Sequence, residues 1–394
     1  MSLFNTPDTS WKELQKDSEN FQKPIQYTKD FEYDGELEAA IRNLLQLYAS
    51  NQQIRSLAPQ LRLYVNQNTV DIHTYFNATL VIKPKESIED WGKRVFKGQD
   101  YILVINCVER FSETLSSHFA NSMVHRLKNH SPDEVSYRIS LFIGNSGFTP
   151  FGAHIDLPGL DVTHFHLGPG SKSMTLWEES KFQTLINSTE KHCYDYEKHI
   201  HEGNTIQLNQ GDILFFPADK YYHVGEYHNF SIAAAVGLMK ESPLSMFTKA
   251  MSRWKEDTIP IIHSENLEKK DDSISLCERI PEHIRTLSIQ EILEEYTCKK
   301  ASNAFMHHRP LLKKLIPLFL IGKELQVNSH FHIVVKDEIA YARGRKWNQP
   351  LNAESRLLLL HLIEKKPITC SKEMSEDTLR FATWLFNTGA IIFC

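Results

Sequence analysis

The chain of 394 residues has six cysteines, Cys107, Cys193, Cys277, Cys298, Cys370 and Cys394, scattered with no C-x-x-C pair. That spacing excludes a zinc knuckle and a dense disulfide framework, and the thiols read as reduced. No stretch approaches the roughly 20 apolar residues of a membrane span. The start, Met1 to Asp8, lacks the basic flank and apolar run of a secretory signal. A cytoplasmic location with no membrane partner is therefore expected. A formal charge of −5 gives no global attraction to nucleic acid or to an anionic membrane. There is no internal repeat. What remains is the composition of an ordinary globular protein, 41% hydrophobic and 24% charged, and a length beyond one compact core, which predicts two or three domains. Function has to come from a site.

Apolar spacing predicts helices over 8–22, 36–48 and 111–128, the first stopping before Pro24. Runs rich in β-branched and aromatic residues predict strands at 61–65, 78–82 and 101–108. From 135 to 240 the chain is a succession of strands, at 136–143, 162–167, 173–177, 205–208, 213–216 and 230–238, separated by Gly, Pro, Asn and Asp. No helix alternates with them, so a double-sheet barrel or jelly roll is expected rather than a parallel sheet. Residues 178–204 interrupt the series as a polar excursion, long enough to be a lid or a substrate contact, or equally plain surface. Beyond Lys240 the pattern turns helical, at 243–256, 281–299 and 310–322, around a charged linker at 265–273. The end of the chain reads as strands at 331–335 and 339–342, helices at 353–364 and 377–387, and a last strand at 389–393, which fits a winged-helix-like module. The expected domains are 1–240, 241–305 and 306–394.

Within the strand block, His154-Ile155-Asp156 stands in a Gly/Pro-rich strand entry, and His223 follows Gly211-Asp212-Ile213-Leu214-Phe215-Phe216-Pro217. Successive side chains of a strand point to opposite faces, so His-x-Asp presents an imidazole and a carboxylate on one side, and a histidine from a neighbouring strand can complete the face. The three are a candidate facial triad for iron that leaves coordination positions open for a bidentate oxo-acid and O2. His164 and His166 offer a rival pair with no carboxylate at matching spacing, and read as pocket or core residues. His307 and His308 read as surface, and His201 with Glu202 as a solvated loop.

Two segments carry a resemblance. Residues 147–156, with His154-Ile155-Asp156, followed by Asp161-Val162-Thr163-His164-Phe165-His166-Leu167-Gly168-Pro169-Gly170-Ser171-Lys172 and an aromatic at Trp177, and residues 211–217 leading to Tyr221-Tyr222-His223, are together similar to the JmjC/cupin-type Fe(II)- and 2-oxoglutarate-dependent oxygenases. The lead-in 19–27 is similar to the aromatic-x-Lys-Pro entry that precedes many JmjC barrels, and the order of barrel, helical segment and winged helix resembles the ribosomal-oxygenase branch. The resemblance implies a double-stranded β-helix with an α-helical middle segment and a C-terminal winged-helix-like domain. It implies His154, Asp156 and His223 as ligands of Fe(II), and Lys172 as the cation for the distal carboxylate of the co-substrate 2-oxoglutarate, with O2 as oxidant. Thr163 and Thr149 are candidates for hydroxyl support of that carboxylate. Lys172 could instead be a solvated hairpin lysine. Two departures stand out: an insertion around Leu157-Pro158-Gly159, and Phe142 where the family usually has a strand tyrosine.

The function this implies is hydroxylation of a side chain in a protein or peptide. Hydroxylation of a free amino acid or small natural product is the rival within enzymes, and a non-catalytic cupin-fold adaptor the rival outside them. The middle helices imply a homodimer through 243–300. Lys365, Lys366, Arg343, Arg345 and Lys346 could touch phosphates, but Glu354, Glu364, Glu373, Glu376 and Asp377 offset them, so protein contact is expected in preference to nucleic acid.

Overall fold

The computed structural model describes residues 7–51, 61–71, 81–266, 286–312 and 316–394. It divides into two compact units, Met1–Asn129 with Tyr137–Met239, and His130–Ser136 with Lys240–Cys394.

The first unit opens with β1 (Ile25–Tyr27), β2 (Leu61–Val65), β3 (Asn68–Val70) and β4 (Tyr101–Asn106). The strand block then supplies β5 (Val135–Gly144), β6 (Gly147–Phe148), β7 (Ala153–His154), β8 (Leu160–Pro169), β9 (Lys172–Glu178), β10 (His192–Cys193), β11 (Asn204–Leu208), β12 (Ile213–Phe216), β13 (Tyr221–Tyr227) and β14 (Ser231–Lys240). One sheet runs β1-β12-β8-β14-β5-β4-β2-β3, and the other β10-β7-β13-β9-β11 with β6 paired to β13. The chain shuttles between them: β5, β8, β12 and β14 lie in the first, and β7, β9, β11 and β13 in the second. That is a double-stranded β-helix, the fold expected from a strand series without alternating helices.

Both faces of β8 are buried. The odd residues face the N-terminal helices: Phe165 packs on Phe31 and Phe119, and Asp161 pairs with Arg126, the last two partners lying on the helix Glu113–Leu127. Trp11, on the helix Pro7–Asp17, donates its indole N–H to the Ser122 carbonyl at 2.8 Å and ties the lead-in to the same layer. The even residues Leu160, Val162 and His164 face the inside of the barrel.

Several local expectations change. The excursion at 178–204 contains a helix, Glu179–Ile186, whose Phe182 is buried against Trp177 and Tyr222. A short helix at Ile88–Val95, capped by Ser87, was not legible beforehand. The strand expected at 78–82 falls largely on residues 78–80, outside the described residues.

In the second unit, the helices Pro243–Asn266 and Ile289–Ala301 pack together through Met246, Ala250, Ile292 and Tyr296. A capping box of Ser288 and Glu291 starts the later helix. Residues 281–285 of the expected helix and 267–273 of the expected linker lie outside the described residues. The helix expected at 310–322 is not formed where the chain is described: residues 310–312 are irregular and Pro317–Leu320 make one 3-10 turn. Pro310 and Pro317 lack the N–H a continuous helix would need. Then follow β15 (Glu324–Val327), β16 (Val334–Lys336), β17 (Ile339–Ala342), β18 (Arg345–Lys346), a helix Ala353–Ile363, β19 (Ile368–Thr369), a helix Glu376–Thr388 and β20 (Ile391–Phe393). Strands β19-β15-β20 form one small sheet and β16-β17-β18 another. Leu325, Leu358, Leu362, Phe381, Leu385 and Ile391 fill the core beneath them. Among the described residues no helix is long and apolar enough to cross a membrane.

Candidate metal and co-substrate site

Antiparallel pairing of β7 with β13 sets His154 directly across from His223. Their ring centroids are 4.2 Å apart. Asp156 lies one residue beyond Ile155, and its backbone N–H donates to the Ala218 carbonyl at 2.9 Å, which moors it to the loop after β12. One carboxylate oxygen is 3.9 Å from His223 Nε2. A donor atom from each of His154, Asp156 and His223 lies within 4.8 Å of the others. His154 Nδ1 is 3.1 Å from the Gly152 carbonyl and His223 Nδ1 is 3.2 Å from the Tyr221 carbonyl. A carbonyl can only accept, so both Nδ1 atoms carry the proton and both Nε2 lone pairs are free. Phe151 and Phe216 pack against the two rings and fix their planes.

The electrostatics suit a cation. Burial, with His223 adding to it, holds the His154 imidazole down to about 3, and burial holds His223 down to about 4. Burial raises the Asp156 carboxyl, against the pull of His154 and Arg138. Two neutral imidazoles and one desolvated carboxylate are the donor set of a facial-triad Fe(II) centre. Gly152, with φ of +75°, could not be another residue: a Cβ there would lie 2.6 Å from the Cys193 carbonyl oxygen.

The triad opens into a cavity of about 270 Å³. Lys172, only 2% exposed, lies on its wall. Its ammonium sits over the rings of Tyr227 and Phe142 at 4.5 and 5.2 Å and has no carboxylate partner among the described residues. Burial holds it down to about 7. Lys172 is thus an unpaired cation facing a cavity, not a solvated hairpin lysine. Thr149 is also on the wall, its hydroxyl accepting from the Gly225 N–H at 3.3 Å. Thr163 is not brought to the site. It is fully buried on the odd face of β8, turned away from the cavity that Val162 and His164 line. His164 reaches the wall with its Nε2 unbonded among the described residues, whereas His166 is off the cavity, 2.7 Å from the Gly170 carbonyl through Nε2.

Sequence reasoning missed several polar wall residues, His192, Arg62, Asn106 and Ser140 among them. His192, on β10, pairs across from His154 and stacks on it at 5.6 Å. Arg62, on β2, lies over Phe151 at 5.2 Å. Arg62 left a signal, a lone charge inside the apolar run Leu61-Arg62-Leu63-Tyr64-Val65; His192, in a polar excursion, left none.

A double-stranded β-helix with a His/Asp/His cluster and a buried lysine on one cavity wall is thus the framework of the first unit. No known family profile matches the chain, and no curated protein matches it by sequence. Among solved structures it is similar over its whole length to the Escherichia coli protein YcfD. One YcfD structure gives 13% identity and a TM-score of 0.50, covering 98% of each chain. Another, named a ribosomal oxygenase, gives 13% identity and 0.49 over 94% of this chain and 95% of that one. A third, in complex with cobalt and 2-oxoglutarate, gives 14% and 0.48 over 97% and 98%. At this identity the likeness shows the fold.

Proposed function

We propose that the chain is an Fe(II)- and 2-oxoglutarate-dependent oxygenase that hydroxylates a side chain of a protein or peptide. The observation that carries this is the combination of one donor atom from each of two imidazoles and a carboxylate, all within 4.8 Å, with a buried ammonium on the same cavity wall that has no carboxylate partner among the described residues. His154, Asp156 and His223 would hold the iron. Lys172 would bind the distal carboxylate of 2-oxoglutarate, with the Thr149 hydroxyl beside it. When bound, iron supplies the redox chemistry in which O2, 2-oxoglutarate and a substrate C–H become succinate, CO2 and C–OH. The chain's own part is to orient the imidazoles, neutralise the co-substrate and keep the chamber small: about 270 Å³ lies just below the usual range for ligand sites.

Protein or peptide is favoured over a free amino acid by the rim. Leu157, next to Asp156, is 54% exposed, and Tyr194, which packs on Gly152, is 69% exposed. These are apolar contacts for a chain rather than for a small solute. A non-catalytic adaptor would have no use for an unpaired buried lysine, whose desolvation costs stability. We further propose a cytoplasmic homodimer through residues 243–300, and a protein-contact role for the C-terminal winged-helix-like part, 306–394.

The test is anaerobic titration with Fe(II) and 2-oxoglutarate, followed by succinate release on admitting O2 with candidate peptides. Saturable binding of both and peptide-stimulated succinate are expected. A protein that binds neither would overturn the reading.

A further inference from the structure

The cavity extends sideways from the triad along β5, β4 and β2, and that lobe is cationic. Alternation along β5 puts Arg138, Ser140 and Phe142 on the inner wall. Ser140 donates its hydroxyl to Asn106 Oδ1 at 2.8 Å, which leaves the Asn106 amide N–H groups for a ligand. Arg62 reaches in from β2 across Phe151, and Phe151 itself packs on His154 at 5.0 Å. Arg138 is near enough to Asp156 for its charge to act on that carboxyl. Among the described residues neither guanidinium forms an ion pair.

The charges on the wall do not balance once the site is loaded. Among the described residues Asp156 is its single carboxylate, against Arg62, Arg138 and Lys172. A bound Fe(II) and the 2-oxoglutarate dianion cancel, and Asp156 offsets Lys172. The two guanidinium charges remain, on two wall residues that are themselves exposed to solvent.

Resting on the iron and co-substrate reading above, we infer that the substrate residue is acidic: an aspartate or glutamate side chain whose carboxylate Arg62 and Arg138 grip, with Asn106 as a further donor. A guanidinium fork matches a carboxylate in two parallel hydrogen bonds. A cationic side chain would be repelled by both arginines, and a neutral amide would forgo the charge-assisted bonds.

The test uses the full-length protein loaded with cobalt(II) and 2-oxoglutarate, so that no turnover occurs, and four capped fluorescent peptides. These share a neutral Gly/Ser/Ala frame and differ only in a central Asp, Glu, Gln or Arg. By anisotropy the better acidic peptide should bind about tenfold or more tighter than the Gln peptide, and the Arg peptide weakest. Arg62→Gln and Arg138→Gln should each shrink the acid-to-Gln gap, and Arg138→Glu should invert the order toward Arg. Equal binding of all four, binding of none, or a gap that survives both glutamine substitutions would overturn the inference. Calorimetry of 2-oxoglutarate is run on each variant. Loss of co-substrate affinity in Arg138→Gln would make Arg138 a co-substrate anchor and overturn its role here. Should the wild-type protein fail to take up cobalt and 2-oxoglutarate, the oxygenase reading fails, and the same peptides on the unloaded protein still decide whether the arginines select acid.

Discussion

His154 and His223, the proposed ligands, each direct Nδ1–H to a backbone carbonyl, so the orientation of both rings is fixed by β7 and β13. Truncating one of them removes a donor without removing core. His154→Ala or Asp156→Ala should therefore abolish iron-dependent turnover and saturable cobalt binding while the circular dichroism spectrum stays that of the wild type. Full activity of either variant in metal-replete assay would show that the ligands lie elsewhere. Lys172 gives a pH prediction. Its ordinary value is 10.5 and burial holds it down to about 7. Between those values the unfolded chain binds a proton that the folded chain does not. This group's contribution to stability therefore rises with pH across that window, and its penalty is full below about 7. With Lys172 as the proposed anchor, co-substrate binding has the opposite sign, since the dianion would need the ammonium. Below about 7 the charge is already present, and above it binding must take up a proton, so affinity should fall by roughly tenfold per pH unit. Calorimetry at about pH 6 and about pH 8.5, in buffers of different ionisation heat, should show that uptake, and Lys172→Arg should remove it. Lys172→Ala should raise the apparent KM for 2-oxoglutarate about tenfold or more with little change in metal affinity.

Strand β13 links the two halves of the site. It carries His223, and two residues on, Gly225 leaves the space in which Lys172 ends: a Cβ there would lie 2.6 Å from Lys172 Cε and 3.0 Å from its Nζ. The atoms in the way are the tip of a flexible side chain, so Gly225→Ala should fold. It should displace the ammonium and weaken 2-oxoglutarate binding by about tenfold while cobalt still binds. Intact co-substrate affinity would detach the lysine from that role. At this scale the sequence was legible where chemistry and strand pattern coincide. Residues 213–216 were expected as a strand and are one, and their Phe216 packs on His223. It was not legible where phase decides. Strand β8 is buried on both faces, one by helices and one by the barrel, so no polar alternation reveals that Thr163 points out and His164 in. Nor could spacing along the chain bring Arg62 and His192 to the cavity beside His154. Only sheet order does that.

At the scale of the whole molecule, the helices at 243–300 leave a question that their own packing answers in part. Met246, Ala250, Ile292 and Tyr296 are covered where Pro243–Asn266 meets Ile289–Ala301. Leu244 is still 74% exposed, Phe247 38% and Ile289 57%, at the starts of the two helices. Scattered apolar residues on a surface are normal, but large exposed ones on both of two packed helices cost hydration that a partner would relieve. A second copy is the commonest partner and needs only that the patch be self-complementary about a two-fold axis. Sedimentation of the full chain at micromolar concentration should therefore show a dimer, and Leu244→Glu with Phe247→Glu should convert it to monomer without unfolding, since neither side chain is core. The cobalt and 2-oxoglutarate affinities of that monomer should match those of the dimer, because every residue on the cavity wall lies within 62–237. A wild-type protein that sediments as a single monomeric species would end the dimer proposal and leave the site as it stands.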